Sequence, residues 1–116
     1  MGLSAAALLV VAMVFLTYQG MNSVPKALAS SGVVVHPSYA KDIKPIISNS
    51  CIQCHAGFDS YANTVAKVVP GNPDASSLYG HVSGKIQPQM PLGQTPLSQE
   101  QIQTIKNWIQ DGAKNN

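Results

Sequence analysis

The segment Cys51-Ile52-Gln53-Cys54-His55 contains both cysteines of the chain and one of its three histidines. Three chemistries use a C-x-x-C-H spacing. A zinc site would take the two thiolates and need two further ligands. His55 adjoins Cys54 and fits poorly in the same tetrahedron, and His36 and His81 do not form a second clustered pair. A thioredoxin-like redox pair belongs after a strand in a βαβ unit, whereas the residues before Cys51 have helical spacing. Covalent attachment of a c-type haem requires two thiols about one helical turn apart, which add to the porphyrin vinyl groups as thioethers. It also requires a histidine directly after the second thiol, to meet the iron from one face. The spacing favours this last chemistry, with Cys51 and Cys54 as attachments and His55 as proximal iron ligand.

Such an iron needs a donor on its other face. Met90 is the only methionine after His55 and lies between Pro88 and Pro91. Each proline fixes its own φ, so the Met90 loop is stiff. Methionine more often fills a gap in a core, but a proline-flanked loop is a poor place for a core filler. Met90 is therefore the expected distal ligand. His81, on a short helix, is the alternative donor, and His36, in a linker, is a weaker one.

The elements that must position these residues are helical. Tyr39, Ile43, Ile46 and Ile47 recur at helical spacing and lead into Cys51. Pro45 can sit in a first turn if Asp42 is the N-cap, or at a kink in a longer helix from Ser38. Ala56 to Pro70 has no clear period, and Ala66 to Val69 could be extended. Asp74 is the expected cap of a helix that faces Leu78 and Val82 inward and ends at Gly84. The stretch GKIQPQMPLGQTP reads as a loop. Ser98 and Gln101 form a capping box, Leu97 and Ile102 occupy the staple positions, and Ile102, Ile105, Trp108 and Ile109 make a buried stripe stopped by Gly112.

Ahead of this domain lies a different composition. Leu3 to Tyr18 has no charge, and the first 25 residues contain no Lys or Arg. Residues 1–21 are expected to run as one transmembrane anchor, since 20 helical residues reach about 30 Å. The competing reading is a cleaved signal peptide with Ala27-Leu28-Ala29 before Ser30 as its processing site. Residues 22–37, rich in Pro, Ser, Ala and Gly, read as an extended linker that could include a short strand at Val33–Val35. Residues 38–116 make the folded domain. A domain of about 80 residues rarely supplies its own stability from a core alone, which suits a bound cofactor as staple. The net charge of +2 comes without a basic block, which argues against nucleic acid.

The order helix, CIQCH, middle helix, PQMP and capped helix with WIQDGA resembles the class I monohaem cytochromes c, over Tyr39 to Ala113. PGNPDASSLYGHV, then PQMP, then LSQEQIQTIKNWIQDGA is most similar to the planctomycete-type cytochrome c domain. The resemblance implies an all-α haem domain, here preceded by a single N-terminal transmembrane helix. It also implies one covalent haem c held by Cys51 and Cys54, iron ligated by His55 and Met90, and transfer of single electrons rather than enzymatic turnover. The expected partners are a redox donor and acceptor in a respiratory or photosynthetic membrane complex. The expected place is the inner membrane, with the haem domain on its outer, periplasmic face. The alternatives are a free periplasmic shuttle after cleavage, and a haem-based gas sensor or enzyme with a displaceable Met90. Lys67 and Lys85 are candidate partner-orienting charges, although ordinary solvated lysines are the simpler reading.

Overall fold

The computed structural model describes residues 36–116, and every regular element among them is helical. In chain order these are a π-helical turn α1 (Tyr39–Ile43), α2 (Lys44–Ser50), α3 (Tyr61–Val65), a 3-10 turn (Pro73–Ala75), α4 (Ser77–Val82) and α5 (Gln99–Gln110). No described helix is long and apolar enough to cross a membrane. The anchor expected at residues 1–21 and the linker up to residue 35 lie outside the described residues. His36 and Pro37, the end of that linker, already touch the folded part. His36 Nδ1 lies 2.8 Å from Asp111 Oδ2, and Pro37 is buried.

The first helix starts at Ser38, not at Asp42. The Ser38 hydroxyl accepts from the Lys41 N–H, while the Asp42 carboxylate accepts from the Ser38 N–H at 2.7 Å. Asp42 thus reaches back as the acidic member of a reciprocal cap. The Ile43 N–H and Lys44 N–H reach five residues back, to Ser38 and Tyr39. This wide turn comes just before Pro45, whose ring would crowd the carbonyl four residues earlier in a regular α-helix. Pro45 then falls in the first turn of α2, where its missing donor costs nothing. The start of α1 also meets the C-terminal residue, with the Ala40 N–H donating to the Asn116 carbonyl at 2.9 Å.

The core forms where α1, α2 and α5 meet. Ile43, Ile47, Ile105 and Ile109 are fully buried, and Trp108 is nearly so. Burial of each such aliphatic chain is worth about 1.5–3 kcal/mol. The Tyr39 ring packs edge-on to Tyr61 with centroids 5.2 Å apart, and lies 5.7 Å from the Trp108 ring. The capping box of α5 is complete. The Gln101 N–H donates to the Ser98 hydroxyl, and the Ser98 N–H donates to Gln101 Oε1. Leu97 and Ile102 are both buried beside it. Gly112 has φ +98°, the left-handed conformation that closes a helix.

Two local expectations are corrected. Asp74 does not cap α4. Asn72 caps the 3-10 turn through the Ala75 N–H, Ser76 occupies the N-cap place of α4, and Asp74 pairs with Lys85 at 2.8 Å. Pro70 and Pro73, seven and four residues ahead of the first residue of that helix, force a separate tight turn first. Ala66–Val69 forms no strand, since Ala66 closes α3, a helix that periodicity does not reveal. At five residues α3 is too short to show a period, and it is held by Ser60 as cap and by the buried Thr64.

Candidate functional site

The Cys51–His55 segment continues the winding of α2. The Cys51 N–H donates to the Ile47 carbonyl at 2.9 Å, and the His55 N–H donates to the Cys51 carbonyl at 2.9 Å. Since Ile43 and Ile47 are locked in the core, the orientation of this turn follows from α2. The exit from the turn is tied down as well. The Tyr39 hydroxyl donates to the Asp59 carbonyl at 2.7 Å, and the Thr64 hydroxyl donates to the Phe58 carbonyl at 2.6 Å. Ser48 donates to the Asp59 carboxylate at 3.1 Å. These part-buried polar contacts hold the backbone on either side of the two thiols.

Cys51 and Cys54 are free thiols, Cys51 half-buried and Cys54 exposed. Burial pushes the Cys51 thiol above its ordinary pKa, because the thiolate loses water. The His55 ring lies 5.9 Å from the Phe58 ring.

The opposite wall comes from α4 and the loop after it. Leu78 and Val82 anchor α4 to the core, as their four-residue spacing predicts. The Met90 N–H donates to the His81 carbonyl at 3.0 Å, the Ile86 N–H donates to the Gly80 carbonyl at 3.0 Å, and His81 Nδ1 lies 2.9 Å from the Pro88 carbonyl oxygen. The loop is thus pinned to α4 at three points. The backbone of Gly80 passes so close to Ile86 that a β-carbon there would lie 2.4 Å from Ile86 Cδ1. Across the mouth, the Gln94 amide donates to Gln53 Oε1 at 3.4 Å.

Between these walls is one cavity of about 530 Å³, in the range of cofactor pockets. Cys51, Cys54, His55 and Met90 all line it, together with His81. The rest of its wall is mainly apolar and includes Phe58, Leu78, Val82, Pro91 and Leu92. His36 is not part of it, being engaged with Asp111 at the surface. Lys67 reaches the wall. Lys85 does not, and it is occupied by Asp74 and by the Tyr79 ring, 5.1 Å from its ammonium. Among the described residues, no three histidines, cysteines or carboxylates cluster as a zinc site requires.

Tyr39 is buried as its helical spacing implies, but the bonding role of its hydroxyl, that of Thr64 and the Pro88 carbonyl under His81 have no sign in the sequence. A threonine that closes a turn through a carbonyl six residues back has no linear signature. Comparison with protein families, with curated proteins and with solved structures finds no match for this chain. In chemical terms, the cavity offers two thiols, an imidazole and a thioether, with a mainly apolar lining. That donor set would suit a covalently held iron porphyrin, with Cys51 and Cys54 to attach it and His55 and Met90 to ligate its iron.

Proposed function

We propose that this protein is a one-electron carrier with a single covalent haem c, related to the class I cytochromes c of the planctomycete type. The observation that carries the reading is the convergence of Cys51, Cys54, His55 and Met90 on one apolar cavity. When bound, the haem supplies reversible one-electron iron chemistry. Cys51 and Cys54 would hold it by thioethers, and His55 and Met90 would ligate its iron. With two ligands supplied by the chain, no position would be left open for a substrate, and this favours electron transfer over catalysis. The soft thioether of Met90 favours the reduced metal and raises the potential. Phe58, Leu78 and Val82 exclude water. The contacts that tie the loop to α4 would hold the Met90 side chain toward the iron. Leu92, 63% exposed at the cavity wall, provides an apolar rim for the approach of a redox partner.

The proposal extends to the membrane. The uncharged residues 1–21 anchor the domain at the outer face of the inner membrane, and the linker of residues 22–37 tethers it. Such an anchor would keep the domain beside a neighbouring membrane complex, either as its subunit or as its captive carrier.

Acid-acetone extraction tests the central claim, and the haem should stay on the polypeptide. Free extraction overturns it. Met90→Ala should remove the weak sulfur-to-iron band at the red end of the oxidised spectrum and lower the potential. An unchanged band would exclude Met90. N-terminal sequencing and a carbonate wash test the tether. A mature chain starting at Ser30 in the soluble fraction would make the protein a free shuttle.

A further inference from the structure

His81 has a second feature besides its place in the cavity wall. Its Nδ1 lies 2.9 Å from the Pro88 carbonyl oxygen. A carbonyl oxygen only accepts, so Nδ1 must carry the proton in this contact. In the neutral imidazole that leaves Nε2 with its lone pair bare. Nε2 has no hydrogen-bond partner among the described residues. Donation from one ring nitrogen to a backbone carbonyl, with the other nitrogen left for a metal, is the arrangement that fixes a metal-ligating histidine. The same side chain lines the cavity that holds Met90, Cys54 and His55, and its own carbonyl accepts from the Met90 N–H.

The two donors sit on unlike supports. His81 belongs to α4, which is fastened to the core through Leu78 and Val82 on either side of it. Met90 lies on a loop whose neighbours Ile86 and Leu92 are 42% and 63% exposed. A disturbance that reaches the cavity from outside therefore meets the methionine support first.

We propose that His81 is a reserve distal ligand, which takes the sixth iron position through Nε2 when the Met90 sulfur leaves it. This rests on the haem reading above. The exchange breaks one iron–sulfur bond and forms one iron–nitrogen bond. Starting from the neutral ring, the exchange releases no proton, and no electron is consumed. The chain thereby keeps its iron six-coordinate and closed to small molecules when the loop is displaced. It would then carry a low-potential bis-histidine form beside the high-potential form.

The test uses the full chain with Met90→Leu, which nearly preserves side-chain volume, and with Met90→Leu/His81→Ala. Acid-acetone extraction is run first on each preparation. Loss of haem at that step overturns the underlying reading and this one with it. With haem retained, the expected result is a low-spin bis-histidine spectrum in Met90→Leu and slow carbon monoxide binding to its reduced form. The double variant should lose the low-spin spectrum and bind carbon monoxide rapidly. A high-spin Met90→Leu protein overturns the proposal while leaving the haem reading intact. So does a low-spin spectrum that persists in the double variant. His81→Asn, which retains a side-chain donor for the Pro88 carbonyl, added to Met90→Leu separates ligation from loop support. It should behave like the alanine double variant, and a low-spin spectrum there would overturn the ligand role.

Discussion

Gly80→Ala tests whether contact with α4 places the Met90 loop. A β-carbon at this position would lie 2.4 Å from Ile86 Cδ1 and 2.7 Å from Ile86 Cγ1. Ordinary contact begins at 3.4 Å, so Ile86 must retreat by about 1 Å. Overpacking of this kind costs about 1–3 kcal/mol in a closed core. Ile86 is 42% exposed and can turn outward, so the low end applies. Alanine in place of glycine inside a helix returns about 0.8–1.0 kcal/mol. The two effects nearly cancel, and the net loss should stay within about 1 kcal/mol, less than about 8 °C in Tm for a domain of this size. Ligation should respond much more. Ile86 is bonded to the Gly80 carbonyl at the root of the loop, and Met90 follows four residues later. Displacing that root should weaken the sulfur-to-iron band and lower the potential, while Tm stays within that bound. Trimming the clash with Ile86→Ala in the Gly80→Ala background should restore the band. A full-strength band in Gly80→Ala, or no recovery in the double variant, would refute the claim that this contact sets the loop.

Other consequences follow from single contacts. Ser98→Ala removes the acceptor for the Gln101 N–H and half of the capping box, and should cost about 1 kcal/mol. The Tm should fall by about 4–8 °C, and an unchanged Tm would mean that α5 is held by its buried stripe alone. Tyr39→Phe strips the Asp59 carbonyl of its donor in a part-buried place, with an expected loss of about 1–3 kcal/mol. Urea unfolding should show a lower midpoint with an unchanged slope. The Asp74–Lys85 hydrogen bond holds the Asp74 carboxyl below its ordinary value of 3.8 and the Lys85 ammonium above 10.5. The depressed carboxylate contributes above 3.8 and loses its contribution as pH falls through its folded value. The raised ammonium contributes below 10.5 and loses its contribution as pH rises through its folded value. Asp74→Asn should therefore not alter the slope of stability between pH 5 and pH 9. A difference in slope from wild type inside that window would contradict the assignment.

Much of this protein is legible wherever the determining interactions lie close in sequence. The α5 start rests on residues three apart, and both bonds of its capping box form as Ser98 and Gln101 imply. The stripe Ile102, Ile105, Trp108 and Ile109 is buried because helical geometry puts those positions on one face. Leu78 and Val82 follow the same logic. The C-x-x-C-H spacing places two thiols and an imidazole at positions that helical winding puts on one face.

Tertiary structure decides what depends on a competitor elsewhere. Asp74 is a fair cap by local rule, yet Lys85, eleven residues on, takes its carboxylate while Asn72 and the prolines shape the turn. Asp42 stays within the cap but yields first place to Ser38, because Pro45 requires a wider turn ahead of α2. The short helix α3 has too few residues to show a period, and is made by the Tyr39–Thr64–Phe58 contacts. Most consequential is the cavity itself. Nothing local brings Met90 and His81 opposite Cys54 and His55. Packing of α4 on the core does so, together with the backbone bonds that tie the loop to Gly80 and His81. Residue types name the donors, because donor chemistry is a property of single side chains. Their meeting across one apolar space is a property of how the helices pack.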